Sequence, residues 1–246
     1  MERFTVERYE LKPIGNSADF NPMGGQTSWY IIIDGTMYMF DVPYSNVAWI
    51  MGKKSTEVLD GVTKIVIFIT SLKESRVGGL KTFIDVLNSL NIPRMVYVPT
   101  DIWMACANYI ETVGGVVSEC QLMRGDYYQD DNIQAFPRKV EHDRVIPSFA
   151  YVIYGGDLFI NPTGSNWSCY YSPDNCRFLD DSVLESFLTE PREKTIYHDI
   201  TYNIDDETHC YKDKVKVPKE LRSHVYPINI DDNRDIKKLR TQGYNI

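Results

Sequence analysis

No stretch of this 246-residue chain is long and apolar enough to span a bilayer. Its opening, MERFTVERYEL, lacks the apolar h-region of a secretory signal. The expectation is a cytoplasmic protein without a membrane partner, in the host cytoplasm if its source is viral. A basic excess is missing too: 26 Lys and Arg face 34 Asp and Glu, a net charge of −8. That argues against broad nucleic-acid or anionic-surface binding, which needs a basic face, but leaves room for one small basic pocket. CxxC spacing is absent from the five cysteines, Cys106, Cys120, Cys169, Cys176 and Cys210. A zinc ribbon or disulfide framework is therefore not expected; reduced thiols are, although Cys169 and Cys176 are near enough in sequence to pair.

What is present is a globular composition, 43% hydrophobic and 24% charged, with enough chain for a large core. Linker composition and short repeats are not seen, so residues 1–246 read as a single domain. Strands are expected over Phe4 to Ile14 and in WYIII and TMYMF, the last two joined by Asp34-Gly35, a strong hairpin signal. A helix over Val47 to Lys54, the strand MVYVP and a Thr100-capped helix through Val113 follow. Further strands are placed in VVSECQLM, NIQAFPRKVEH, SFAYVIYG, DLFINP, KTIYHDIT and HVYPINI, with helices over Asp181 to Leu188 and in DNRDIKKLRTQG. SNWSCYYSPDNCRF reads as an irregular aromatic stretch. Two runs of hairpin strands, each followed by strand–helix units, suggest an α/β (α+β) fold of two mixed sheets packed face to face with helices outside.

The organising stretch is KIVIFITSLKESRVGGL, Lys64 to Leu80. A buried β-branched strand ends in a polar turn, and Gly78-Gly79 opens an amphipathic helix to about Leu90. Such strand-to-helix turns are where α/β proteins place chemistry. This one holds Ser71, Lys73, Glu74, Ser75 and Arg76, and no histidine.

Several motifs together resemble the metallo-β-lactamase fold, and within it the ribonuclease Z-like branch, which includes phage phosphodiesterases that destroy cyclic-nucleotide immune signals. IGNSADFNPMGGQTSWYI is similar to the branch's opening turn and strand, and MFDVPYS places Asp41 at the family's aspartate. TSLKESRVGGL resembles the signature T-H-x-H-x-D-H-x-G-G-L through Thr70, Gly78, Gly79 and Leu80. VEHDRVIPSFAYVIY places His142 at a ligand position. LFINPTG falls where the family has a strand ending in Gly-Asp-Thr, YHDIT resembles its "HEAT" element, and VYPINID its last strand. The resemblance implies a four-layer αββα sandwich, a homodimer, and two zinc or manganese ions activating a hydroxide against a phosphodiester.

Carried over position by position, the ligand set becomes Ser71, Lys73, Ser75, Arg76, His142, Thr163 and Asn229. Only His142 is an ordinary ligand, and two of the others are cations, so no metal cofactor and no catalytic residue are expected. The same side chains suit an anion. Lys73 and Arg76, the hydroxyls of Ser71, Ser75 and Thr163, Asn229 and the histidines His142, His198 and His209 offer donors to phosphate oxygens, with the Gly78 and Gly79 amides beside them. The leading expectation is therefore an inactive relative that binds and sequesters a nucleotide-type ligand, as a viral anti-defence sponge would.

Plainer readings stand beside it. The turn could face water with Glu74 pairing Lys73 or Arg76, and His142 could be a structural histidine. His198-Asp199 could be a satisfied pair. Trp167, Tyr170 and Tyr171 could stack on a base, meet a partner or cover a loop; Gly24-Gly25 is too short for a phosphate-binding loop. An active phosphodiesterase with a rearranged or mononuclear site, and a structural protein that kept only the fold, remain alternatives.

Overall fold

The structure is a computed structural model, described over residues 10–16, 25–52, 58–142, 145–155, 167–175, 193–201, 209–212, 215, 217, 219–230 and 233–245. The first half builds β1 (Lys12–Gly15), β2 (Ser28–Ile33), β3 (Thr36–Phe40), α1 (Tyr44–Met51), β4 (Lys64–Phe68), α2 (Glu74–Val77), α3 (Leu80–Ser89), β5 (Arg94–Pro99), α4 (Trp103–Thr112) and β6 (Leu122–Gly125). The second builds β7 (Tyr128–Gln129), β8 (Ile133–Val140), β9 (Ser148–Gly155), β10 (Trp167–Ser172), β11 (Glu193–Asp199), β12 (Val225–Ile228) and α5 (Asn233–Thr241).

Two six-stranded sheets result, ordered β1-β2-β3-β4-β5-β6 and β12-β11-β10-β9-β8-β7. Each joins antiparallel strands to parallel ones: β3 through β6 are parallel in the first sheet, and β10 through β12 in the second. The Asp34-Gly35 turn takes φ 47° and 75°, the left-handed pair that a two-residue hairpin of this twist requires.

A period of two sorts the strands' side chains into layers. On β4, Ile65 and Ile67 enter an aliphatic cluster under the helices, while Val66 and Phe68 face between the sheets. On β9, Tyr151 and Ile153 face between the sheets, and Ala150 and Val152 enter the outer cluster with Leu239 of α5. The layer between the sheets is aromatic: Phe40 and Phe68 stack at 5.2 Å, and Tyr151 packs against both. The order is helices, sheet, sheet, helix, as expected.

Some elements differ from expectation. The turn at Lys73 is followed by one helical turn, α2, before α3 begins at Leu80 rather than at Gly78. Gly79 is where the chain passes α1; a Cβ there would lie 2.8 Å from the Pro43 carbonyl oxygen. SECQLM is a short 3-10 turn followed by β6. The aromatic stretch is not irregular: Trp167–Ser172 is a buried central strand. Its rings cannot stack on a ligand base, because Trp167, Tyr170 and Tyr171 are core. Residues 1–9, the strand expected in DLFINP, Cys176 and the helix expected over Asp181 to Leu188 lie outside the described residues. Cys169 is a free buried thiol, held above the usual thiol range by burial. Among the described residues no helix is long and apolar enough to cross a membrane.

Candidate functional site

Asp41 follows β3 and Thr70 follows β4, both at the carboxyl ends of neighbouring parallel strands. Asp41 turns left-handed, φ 63°, a conformation costly for a non-glycine residue. Thr70 holds it there: its backbone N–H donates to Asp41 Oδ1 at 2.8 Å and its hydroxyl to Oδ2 at 2.6 Å. The second sheet arrives at the same place. Ser71 bridges Ser148, the Phe149 N–H donates to the Thr70 carbonyl at 2.8 Å, and the Tyr151 hydroxyl donates to the Ile69 carbonyl at 2.9 Å.

Arg76, on α2, points inward and is completely buried. Its Nε donates to Asp174 Oδ2 at 3.0 Å and its Nη2 to Oδ1 at 2.7 Å, a two-pronged pair. Nη1 donates to the Thr27 carbonyl at 3.1 Å and Nη2 also to the Pro173 carbonyl at 3.4 Å, while Asp41 Oδ2 lies 3.9 Å from Nε. Burial alone would discharge these groups. It works against the Arg76 charge, but Asp174 and Asp41 more than compensate. Burial likewise opposes the Asp174 charge, yet Arg76 holds that carboxyl well below the usual range. Asp41 has less help, and burial pushes it up to about 7 against Arg76 and Thr70.

Lys73 takes the other side of the turn. Its Nζ sits against His142 Nε2, and that ring nitrogen is 3.9 Å from Asp174 Oδ1. The His142 and His209 ring centroids are 5.2 Å apart. His209 Nδ1 contacts Asp199 Oδ2 closely and lies 3.3 Å from the Asn229 amide nitrogen. Asn229, also left-handed at φ 62°, accepts the Thr27 hydroxyl at 3.2 Å and is tied to Asn16 through its own N–H. Burial pushes Asp199 up to about 7, against the pull of His209.

The fold thus brings Lys73, Arg76, His142, His209 and Asn229 together, with Ser71 and Ser75 on the same turn. His198 is not among them. Tyr197 faces between the sheets, so its neighbour faces outward, where the His198 ring lies parallel to Tyr170 at 6.2 Å. Thr163 lies outside the described residues. The Gly78 and Gly79 amides are not anion donors either, because they donate to the Glu74 and Val42 carbonyls at 2.8 Å each. Arg76 neither faces water nor pairs with Glu74.

Asp174 was not singled out from the sequence, yet it is the acid at the centre. β9 pairs antiparallel with β10, whose end delivers Pro173 and Asp174 to Arg76. WSCYYS is thus a strand that ends by delivering an aspartate, Asp174, to the site; LFINP and Thr163 lie outside the described residues. The signal was present as alternation: Trp167, Cys169 and Tyr171 face between the sheets, and Tyr170 faces out.

The residues do not fit the two metal ions that the resemblance implies. His142, Asp174 and His209 do bring ligating atoms within 4.8 Å of one another. However, both Asp174 oxygens are taken by Arg76, and Lys73 stands on the His142 nitrogen. Like unit charges at ~4 Å cost on the order of 4 kcal/mol even at an effective dielectric of 20, and a divalent ion doubles that.

No family model matches the chain, and no curated protein sequence matches it. Solved structures do. The metallo-beta-lactamase fold protein YhfI from Bacillus subtilis superposes with a TM-score of 0.68 at 9% identity, over 95% of this chain and 90% of that one. A diphosphatase of the PhnP family gives 0.63 at 15%, over 91% and 87%. The short form of human tRNase Z gives 0.65 at 13%, over 92% and 93%. Nearly the whole chain is covered each time, as the motif resemblance implied. This chain has the metallo-β-lactamase fold.

Proposed function

We propose that this protein is a non-hydrolytic binder that sequesters a phosphate-bearing nucleotide ligand at the Lys73 side of the site. The observation that carries the reading is the position of Lys73. Its ammonium rests on an imidazole, His142, while the nearby acid, Asp174, is already engaged by Arg76. A lysine on an imidazole gains less than one on a carboxylate, so a phosphate oxygen is the better partner. His142 and His209 stand beside it as further donors, and burial raises Asp41 and Asp199 to about 7, which lessens the negative charge facing an incoming anion. That a diphosphatase and a tRNase share the fold favours a phosphate-bearing ligand over other anions.

With cations standing where the resemblance puts metal ligands, the reading is a site that binds without cutting. The test is a thermal-shift screen of the purified chain over cyclic mono-, di- and trinucleotides. A ligand at a hundredfold excess over its Kd stabilises by ~2.7 kcal/mol. It is then released by heat denaturation and identified by mass. Release of the intact ligand supports the reading; release of cleaved products, or no stabilisation by any member, removes it.

A second reading rests on the approach of His142, Asp174 and His209: a single-metal hydrolase with Lys73 displaced. One stoichiometric zinc or manganese in protein purified without chelator, with phosphodiester cleavage lost on its removal, would replace the first reading with this one.

A further inference from the structure

The resemblance implies metal ions in this cavity, and the chemistry present here disagrees with that. We infer that Arg76 is a built-in structural cation that takes over the metals' bridging role, tying the two sheets together across the site, and that it is not a ligand contact. This goes beyond the nucleotide reading and does not depend on it.

Three observations support it. First, Arg76 spans the sheets. It leaves α2, after β4 of the first sheet, and reaches Pro173 and Asp174, beyond β10 of the second; on its own side it meets Thr27, before β2, and Asp41, after β3. Three chain segments besides its own therefore converge on one guanidinium, as segments would on a metal ion. Second, four of its five N–H donors are accounted for by these partners, and the side chain has no exposed surface. An incoming phosphate cannot reach it without breaking the Asp174 pair. Third, the nearby acids are gathered around this one cation. Two carboxylates of a metal-type site remain, Asp41 and Asp174, and both lie within 4 Å of the guanidinium. Lys73, three residues earlier, has none of these restraints. The turn thus divides its two cations: one fully buried as a fastener, one half-buried against an imidazole.

The experiment reads thermal unfolding of the full chain in chelator and in excess zinc. Wild type should give the same Tm in both, because the cation is covalently part of the chain. Arg76→Met should lower the Tm by roughly 10 °C, since removing one member of a buried pair leaves its acid uncompensated. Zinc should recover part of that loss in Arg76→Met, where the position is vacated, and in no other case. Arg76→Met combined with Asp174→Asn should recover stability without zinc, because the orphaned charge is gone. Should Arg76→Met not fold, Arg76→Lys decides: it keeps the charge without the planar fork and should unfold between wild type and that variant's limit. Wild type stabilised by zinc or destabilised by chelator would overturn the inference. So would an Arg76→Met or Arg76→Lys protein with wild-type Tm in both solutions.

Discussion

Lys73 and Arg76 belong to one turn, yet the two sides of the site that they enter differ in kind. The Arg76 side is dry and closed: a two-pronged ion pair, two backbone carbonyls and a second acid at 3.9 Å. The Lys73 side is partly open and is built of imidazoles, an amide and an acid whose proton is loosely committed near neutrality. The difference teaches that two cations three residues apart can have separate fates: one is fully buried on a carboxylate, and the other is half-buried against an imidazole.

The sharpest way to break this contrast is Asp174→Ala. If the Arg76 side is architecture, stranding the buried guanidinium should cost ~3–5 kcal/mol in urea unfolding; a loss under ~1 kcal/mol would erase the distinction between the sides. Next comes pH. Asp41 and Asp199 have folded-state values of about 7, above the ordinary 3.8. The stability they contribute is therefore complete below about pH 4 and is lost as pH rises through 7. Asp174 works oppositely: its stabilisation holds above its ordinary 3.8 and fades only as pH falls below that. Urea midpoints should accordingly decline from pH 5 to pH 8, and Asp199→Asn should flatten that decline by up to ~1.4 kcal/mol per pH unit. An unchanged slope would show that Asp199 keeps its charge throughout.

Smaller effects refine the boundary. Tyr151→Phe removes the hydroxyl that holds the Ile69 carbonyl beneath the turn and should cost ~1 kcal/mol, with ligand binding untouched. Lys73→Ala should shift stability by no more than ~0.5 kcal/mol, while weakening phosphate-ligand affinity at least tenfold by calorimetry. Affinity equal to wild type would place the binding surface elsewhere.

The layers of this fold were legible because the signals are local. The apolar β-branched run of β4, the Asp34-Gly35 turn and the amphipathic pattern of α3 each constrain only neighbouring residues. The site was legible only in part, since its partners come from far along the chain. Nothing near Arg76 in sequence announces Asp174, 98 residues away, so a charged turn read in isolation could as well have faced water or a phosphate. His198 failed for a simpler reason. A strand places consecutive side chains on opposite faces, and one residue's difference put Asp199 in the site and His198 outside it. β10 was missed because its rings and serines, followed by Pro173, resemble a loop, although its alternation is that of a core strand.

A metal ion can join a cavity after the chain has folded and can leave it again. The guanidinium of Arg76 can do neither. It has to be stripped of water in the same event that closes one sheet over the other, with Asp174 arriving from the far half of the chain to meet it. Closure of the two sheets over this cavity and docking of Asp174 on Arg76 are therefore expected to be coupled.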